Sequence, residues 1–135
     1  MEKYKILSFE EHGDERGKLI VVESGMNIPF EIKRVFYMCD SDDTIVRGQH
    51  ANRKTEFVII NVRGTAKIKV DTGEKQEIIN LDKPQIGLYL SSMVWKDMYD
   101  FSPDSVLLVL ASEHYDAAEY VRDYETFCKE VKEQK

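Results

Sequence analysis

A chain of 135 residues is long enough to bury one core without disulfide or metal staples, and short enough that one domain is the default. With 42% hydrophobic and 33% charged residues it has the composition of a folded soluble protein, which excludes a disordered tail and a fibre. A formal net charge of −6 excludes the broad basic surface that nonspecific nucleic-acid binding requires. The opening "MEKYKILSFEEHG" mixes charges with single apolar residues and reads as neither a secretory signal nor a membrane anchor. Cys39 and Cys128 lie far apart with no C-x-x-C spacing, so a disulfide framework and a zinc ribbon lack their signatures and a reducing cytoplasm is expected.

Short β-branched and aromatic runs then follow one another: "KLIVVE", "IKRVFYM", "TEFVIINV", "TAKIKV", "QEIINL", "IGLYLS" and "SVLLVLAS". Turn signals at Arg63-Gly64, around Gly73 and at Pro103 separate several of them as consecutive hairpins. That rhythm predicts an all-β antiparallel sandwich or barrel. No repeat or linker interrupts it, so residues 1–135 read as a single domain. The last twenty residues change period: Tyr120, Tyr124, Phe127 and Val131 recur at helical spacing after an Asp116-x-x-Glu119 start signal. They predict a C-terminal helix whose aromatic stripe is core or dimer-contact surface.

In chain order, the first candidates for chemistry are basic. Lys33, Arg34, Arg47, Arg53 and Lys54 fall in two short segments that would hold a compact anion such as a diphosphate if they converge, and are solvated strand ends otherwise. Tyr37 shares its alternate face with Val35 and Lys33, where a phenol can hydrogen-bond a sugar oxygen or simply pack. Arg47 to Phe57, "RGQHANRKTEF", is the most pointed stretch, because strand alternation puts His50, Asn52 and Glu56 on one face if the strand runs unbroken. Its H-x-N-x-x-x-E pattern resembles a metal-binding barrel strand with one ligand lost. Asn52 is a poor donor for zinc, iron or copper, and "KPQIGLYLSSMVW" offers no further histidine, so no metal is expected. An imidazole with an ordinary pKa of about 6.5 shuttles protons without one. Arg47 and Asn52 beside it form the polar part of a pocket. Trp95 either stacks on a base or sugar ring or packs in the core; His12 reads as solvated, and His114 as surface or rim.

The segments "DERGKL", "NIPFEIKRVFYM", "RGQHANRKTEF", "GLYLSSMVWKDMYDFS" and "VLLVLASEHYDAAEYVRDYETF" together resemble the sugar 3,4-ketoisomerase family of small WxcM-like cupins over almost the whole chain. The resemblance implies a cupin jelly roll, a homodimer, no cofactor and no catalytic metal. It also implies a dTDP-linked 4-keto-6-deoxyhexose, dTDP-4-keto-6-deoxyglucose, as substrate, its carbonyl moving from C4 to C3 on the way to 3-amino-3,6-dideoxy sugars. It assigns catalysis to His50, Tyr37 and Arg47; beside these, Arg16 and Lys33 are expected at the diphosphate, and Asn52, Glu56 and Trp95 are expected against the substrate from their residue types and places. Members typically carry H-x-H followed by glutamine, whereas this chain has Asn52 and Glu56 at those places. A nucleotide-sugar 3,5-epimerase and a catalytically silent nucleotide-sugar-binding cupin are the alternatives.

Overall fold

The computed structural model describes residues 2–134. In chain order its strands are β1 (Tyr4–Ser8), β2 (Glu11–Asp14), β3 (Gly17–Ile20), β4 (Arg34–Met38), β5 (Arg47–Asn52) and β6 (Phe57–Arg63), then β7 (Ala66–Asp71), β8 (Gln76–Leu81), β9 (Ile86–Leu90), β10 (Trp95–Tyr99), β11 (Val106–Ala111) and β12 (Tyr120–Val121). They form two five-stranded antiparallel sheets, ordered β1-β9-β6-β11-β4 and β12-β5-β10-β7-β8, and β2 with β3 makes a separate hairpin. The fold is the expected all-β cupin-type jelly roll closed by one C-terminal helix.

Alternation along the strands builds three apolar layers. Phe57 and Ile59 of β6, with Leu107 and Val109 of β11, point between the sheets onto Ile68, Val70 and Leu81 of the opposite sheet. Their neighbours Val58, Ile60 and Leu110 point outward and are covered by Phe9, Ile28 and Phe30. On the far side, Ala51 and Trp95 face outward beneath Phe127 and Val131 of the terminal helix α1 (Tyr124–Glu133). Deleting a fully buried ring such as Phe57 would cost about 3 to 5 kcal/mol.

The predicted turns are where the sequence put them. Gly64, at φ +76, joins β6 to β7, and a Cβ there would lie 2.3 Å from Ser102 Oγ. The predicted helix starts later than its signal. Asp116 caps a short 3-10 turn, Ala117–Glu119, and the chain then runs as β12 before Asp123 accepts from the Thr126 amide to start α1. Tyr120 is therefore a strand residue. Among the described residues no helix is long and apolar enough to cross a membrane.

Candidate active site

At one end of the barrel the two sheets part around a cavity of about 280 Å³. Phe36 and Met38 of β4, Phe57 and Ile59 of β6, Met98 of β10 and Val109 of β11 line its apolar side. Arg47, His50, Lys96, Tyr115, Tyr120 and Arg122 line the polar side.

A local irregularity in β5 is what brings Arg47 and His50 together. Residues three apart on a regular strand face opposite ways. Here Met98 pairs with Arg47, Asp97 with Gly48 and Lys96 with His50, so Gln49 is an extra residue and the register shifts. Gly48 and Gln49 both take left-handed backbone angles, φ +84 and +56, to accommodate it. Gly48 has no room for a side chain, since a Cβ would sit 2.9 Å from the Lys96 carbonyl oxygen. The "RGQH" sequence thus re-aims Arg47 onto the face of His50.

Depth divides the site. Arg47, Tyr115 and Arg122 are exposed at the rim, whereas Lys96 is 3% exposed on the floor directly opposite His50. The His50 ring packs 4.8 Å from Tyr120, the Arg122 guanidinium lies 4.7 Å over Tyr120, and Tyr115 stands 5.6 Å from Tyr120. Arg34 stacks on Phe36 and Tyr115 at 5.2 and 5.6 Å and points long N–H contacts of 3.4 Å at the Tyr120 hydroxyl. The Lys96 ammonium rests 4.2 Å over the Phe57 ring.

Arg34, Arg47, Lys96 and Arg122 thus stand around the cavity, and among the described residues the carboxylate acting on Lys96 is Glu119. That carboxylate accepts from the Lys54 and Thr55 amides and the Thr55 hydroxyl. Burial works to raise its pKa, but these hydrogen bonds, with the Asn52 amide nearby, outweigh it and hold Glu119 ionised. Burial, then the positive charges of Lys96, Arg122 and Arg34, lower the His50 pKa to about 3, so its imidazole is neutral at physiological pH. Nδ1 of His50 is buried without a partner, which leaves Nε2 as the nitrogen available to a ligand. Burial first, and Arg34 in addition, pull Lys96 down to about 7, against the opposing pull of Glu119.

Many barrels of this architecture hold a metal, and these residues do not fit one. The walls are cationic, and among the described residues no three His, Cys, Asp or Glu side chains gather. The charge suits an anion, although the chain as a whole carries −6.

The structure gathers His50 and Arg47 at the cavity and puts Asn52 behind them. Asn52 is 2% exposed, close to both His50 and Glu119, yet its amide nitrogen and oxygen make no hydrogen bond of ordinary geometry. Other candidates stand elsewhere. Tyr37 is 66% exposed on the outer face of β4, because alternation turns Phe36 and Met38 inward instead. Glu56 lies beyond the end of β5 and accepts from the Tyr89 hydroxyl on the outer side of the other sheet, so the unbroken strand that would align it with His50 does not exist. Trp95 packs edge-on against Tyr124 and near Phe127 beneath α1. Arg16 pairs with Asp14 on the exposed β2–β3 hairpin, and Lys33 lies 3.9 Å from Glu113; neither lines the cavity of its own chain. Of the basic residues expected to converge, Arg34 and Arg47 do. Arg53 and Lys54 instead tie the C-terminal segment down through Glu130 and Asp116. Lys96, Tyr115, Tyr120 and Arg122 escaped the sequence reading. A lysine two residues before a methionine in "WKDMY" was the available signal for Lys96, and Tyr120 was assigned to the helix.

Fold and cavity together define a small cupin-type barrel with a neutral histidine in an anion-attracting pocket. Comparison with known proteins gives the family. A family model described as FdtA, "WxcM-like, C-terminal", matches residues 2–132. The chain is 42% identical over 127 residues, 94% of its length and 91% of the other, to the TDP-4-oxo-6-deoxy-alpha-D-glucose-3,4-oxoisomerase of Aneurinibacillus thermoaerophilus. It matches the crystal structure of QdtA, a sugar 3,4-ketoisomerase from Thermoanaerobacterium thermosaccharolyticum in complex with TDP, at TM-score 0.95 and 39% identity over 98% and 96% of the two chains. A histidine-to-asparagine mutant of that enzyme in complex with TDP-4-keto-6-deoxyglucose matches at TM-score 0.96 and 37% identity over 99% and 97%. The chain belongs to this WxcM-like ketoisomerase family, and it is an isomerase.

Proposed function

We propose that this chain is a 3,4-ketoisomerase of TDP-4-keto-6-deoxyglucose, moving the carbonyl from C4 to C3 to feed an aminotransferase that makes a 3-amino-3,6-dideoxy sugar. The observation that carries the reading is the neutral His50 inside a cavity walled by Arg47, Lys96 and Arg122. The exposed Arg122 of the rim, with half-buried Arg34 behind it, suits a diphosphate, which the two guanidiniums would bind through charge-assisted hydrogen bonds. The aromatic and apolar floor suits the deoxyhexose.

The C4 carbonyl acidifies the hydrogen on C3. Neutral His50 Nε2 takes that proton as the carbonyl electron pair moves onto O4 to give an enediolate across C3 and C4; the O3 proton passes to the adjacent O4, and as the C3 carbonyl forms the imidazolium returns the first proton to C4. Arg47 offsets the developing oxyanion, an effect worth about 3 to 4 kcal/mol per preorganised donor. Asn52, packed behind His50, carries no titratable proton and moves none. The two negative charges of a bound diphosphate raise the His50 pKa from its depressed value and so strengthen the base when substrate is present.

The account extends to a single-domain cytosolic protein acting as a homodimer. Exposed Val35, Tyr37 and Val62 supply apolar surface for the dimer, and the two cysteines are unbridged. Incubation with TDP-4-keto-6-deoxyglucose followed by NMR tests the function: a 3-keto product supports it, and an epimer with the ketone still at C4 or unchanged bound substrate contradicts it. His50→Ala should lose about 100- to 10,000-fold in turnover and keep its TDP affinity. Undiminished turnover in His50→Ala would remove the histidine from the mechanism.

A further inference from the structure

Asn52 is the buried polar group that the scheme above leaves idle. It stands two residues after His50 at the end of β5, and since Ala51 between them turns outward to α1, the two side chains share the inward face. Its backbone carbonyl accepts from the Met93 amide at 2.7 Å, but at 2% exposure both ends of its side-chain amide lack a partner. So does Nδ1 of His50. A buried polar atom left unpaired is costly, and these lie on one strand face with complementary needs.

Strand β12 brings a carboxylate to the same place. Tyr120 pairs with Asn52 across the β12–β5 ladder, and the preceding Glu119 is 4% exposed, its carboxylate held by the Lys54 and Thr55 amides at 3.0 and 3.1 Å and by the Thr55 hydroxyl. An ionised carboxylate only accepts, so it selects the Nδ2 end of Asn52 and leaves Oδ1 for the ring. The electrostatics agree in sign: burial depresses the His50 pKa and Asn52 opposes it, whereas Asn52 joins the Thr55 and Lys54 donors that hold Glu119 ionised against its burial. Neither Asn52 nor Glu119 lines the cavity.

The geometry points to a positioning pair: Glu119 fixes the Asn52 amide, and Asn52 Oδ1 accepts the Nδ1 proton of His50, holding the neutral imidazole in the tautomer whose bare Nε2 faces the substrate. An asparagine alone would not do this. Its amide offers a donor at one end and an acceptor at the other, and where asparagine replaces the aspartate behind the histidine of a serine-protease triad, the wrong tautomer costs about 10⁴-fold in kcat. Glu119 removes that ambiguity. No proton leaves the pair, and Oδ1 keeps its hydrogen bond when the ring becomes an imidazolium, so His50 holds its orientation between taking the C3 proton and returning it to C4. The assignment rests on the ketoisomerase reading, but the tautomer is readable without turnover.

Nitrogen NMR of histidine-labelled protein at neutral pH reads it, and the signals lost in His50→Asn identify His50 among the three histidines. The wild type should show Nε2 bare and Nδ1 protonated. Asn52→Leu, close in size, should populate both tautomers and lose about 10- to 100-fold in kcat, with KM and TDP affinity within about threefold. Glu119→Gln, whose amide can donate to Oδ1, frees Asn52 to turn and should shift the tautomer likewise. A wild-type His50 with Nδ1 bare would overturn the proposal, as would Asn52→Leu turnover within about threefold of wild type. A loss of turnover in Asn52→Leu matched by an equal loss of TDP affinity would mark a packing role and overturn it too. If Glu119→Gln does not fold, the wild-type spectrum and Asn52→Leu still decide. A wild type with the expected tautomer that makes no 3-keto product would refute the underlying function and leave the pair standing.

Discussion

Replacing His50 by asparagine should change how the protein's stability responds to acid, because the cavity that makes His50 useful also makes it costly to protonate. The unfolded histidine titrates at its ordinary 6.5 and the folded one at about 3. Between those values the unfolded state binds a proton that the folded state does not. Stability contributed by the neutral ring is therefore whole above pH 6.5 and drains away as pH falls toward 3. Each bound-proton difference changes stability by about 1.4 kcal/mol per pH unit, so about 2 kcal/mol has gone by about pH 5. Urea titrations at about pH 7.5 and 5 should show the wild type losing about 2 kcal/mol more than His50→Asn over that interval. The carboxylates with depressed pKa values, such as Asp123 and Glu130, are shared by both proteins and cancel in the difference. Saturating TDP should narrow the gap, since its phosphates offset the Lys96, Arg122 and Arg34 charges that depress the ring. Parallel acid losses in the two proteins would refute the argument, for they would mean that His50 titrates normally and the cavity exerts no such field.

Arg122→Gln should weaken TDP binding by about 10- to 100-fold and flatten its salt dependence, whereas Glu56→Gln, on the far side of the sheet, should leave it within about twofold by calorimetry. Light scattering at micromolar concentration should return twice the chain mass, and a stable, active monomer would count against the dimer.

Most of the barrel was legible because its strands are short β-branched and aromatic runs bounded by turn residues, as in "FVIINV", which is buried on both faces, and because Gly64 and Gly73 mark hairpins that need left-handed backbone. Strands β1 and β2 were not, since their residues are largely exposed and show no apolar face. The C-terminal boundary was misplaced for a specific reason: Asp116 is a genuine cap, but of a single 3-10 turn, and an aromatic at Tyr120 fits helical spacing and a strand equally well. Within the site, His50 and Arg47 were identified by residue type and resemblance. Their shared orientation depends on the bulge at Gln49, which no alternation rule shows. Tyr37 was named as catalytic from the resemblance and Trp95 as a stacking contact from its residue type, and the strand pleat points both away from the cavity of their own chain. Lys96 was invisible for the opposite reason: a lone lysine in a strand ordinarily faces water, and only the pairing of β10 with β5 and β7 shows that this one faces in.

The central claim is that this cavity moves a proton between two neighbouring carbons of a keto sugar. Turnover of TDP-4-keto-6-deoxyglucose by the purified protein in deuterated water, read by proton NMR, tests it most directly. The expected product is the 3-keto sugar with part of the hydrogen originally on C3 now on C4, as a single His50 imidazole shielded from solvent would deliver it. Deuterium entering C5 or C3 while the ketone stays at C4 would contradict the account and mark the chain as an epimerase; recovery of unlabelled substrate would mark it as a binder without turnover.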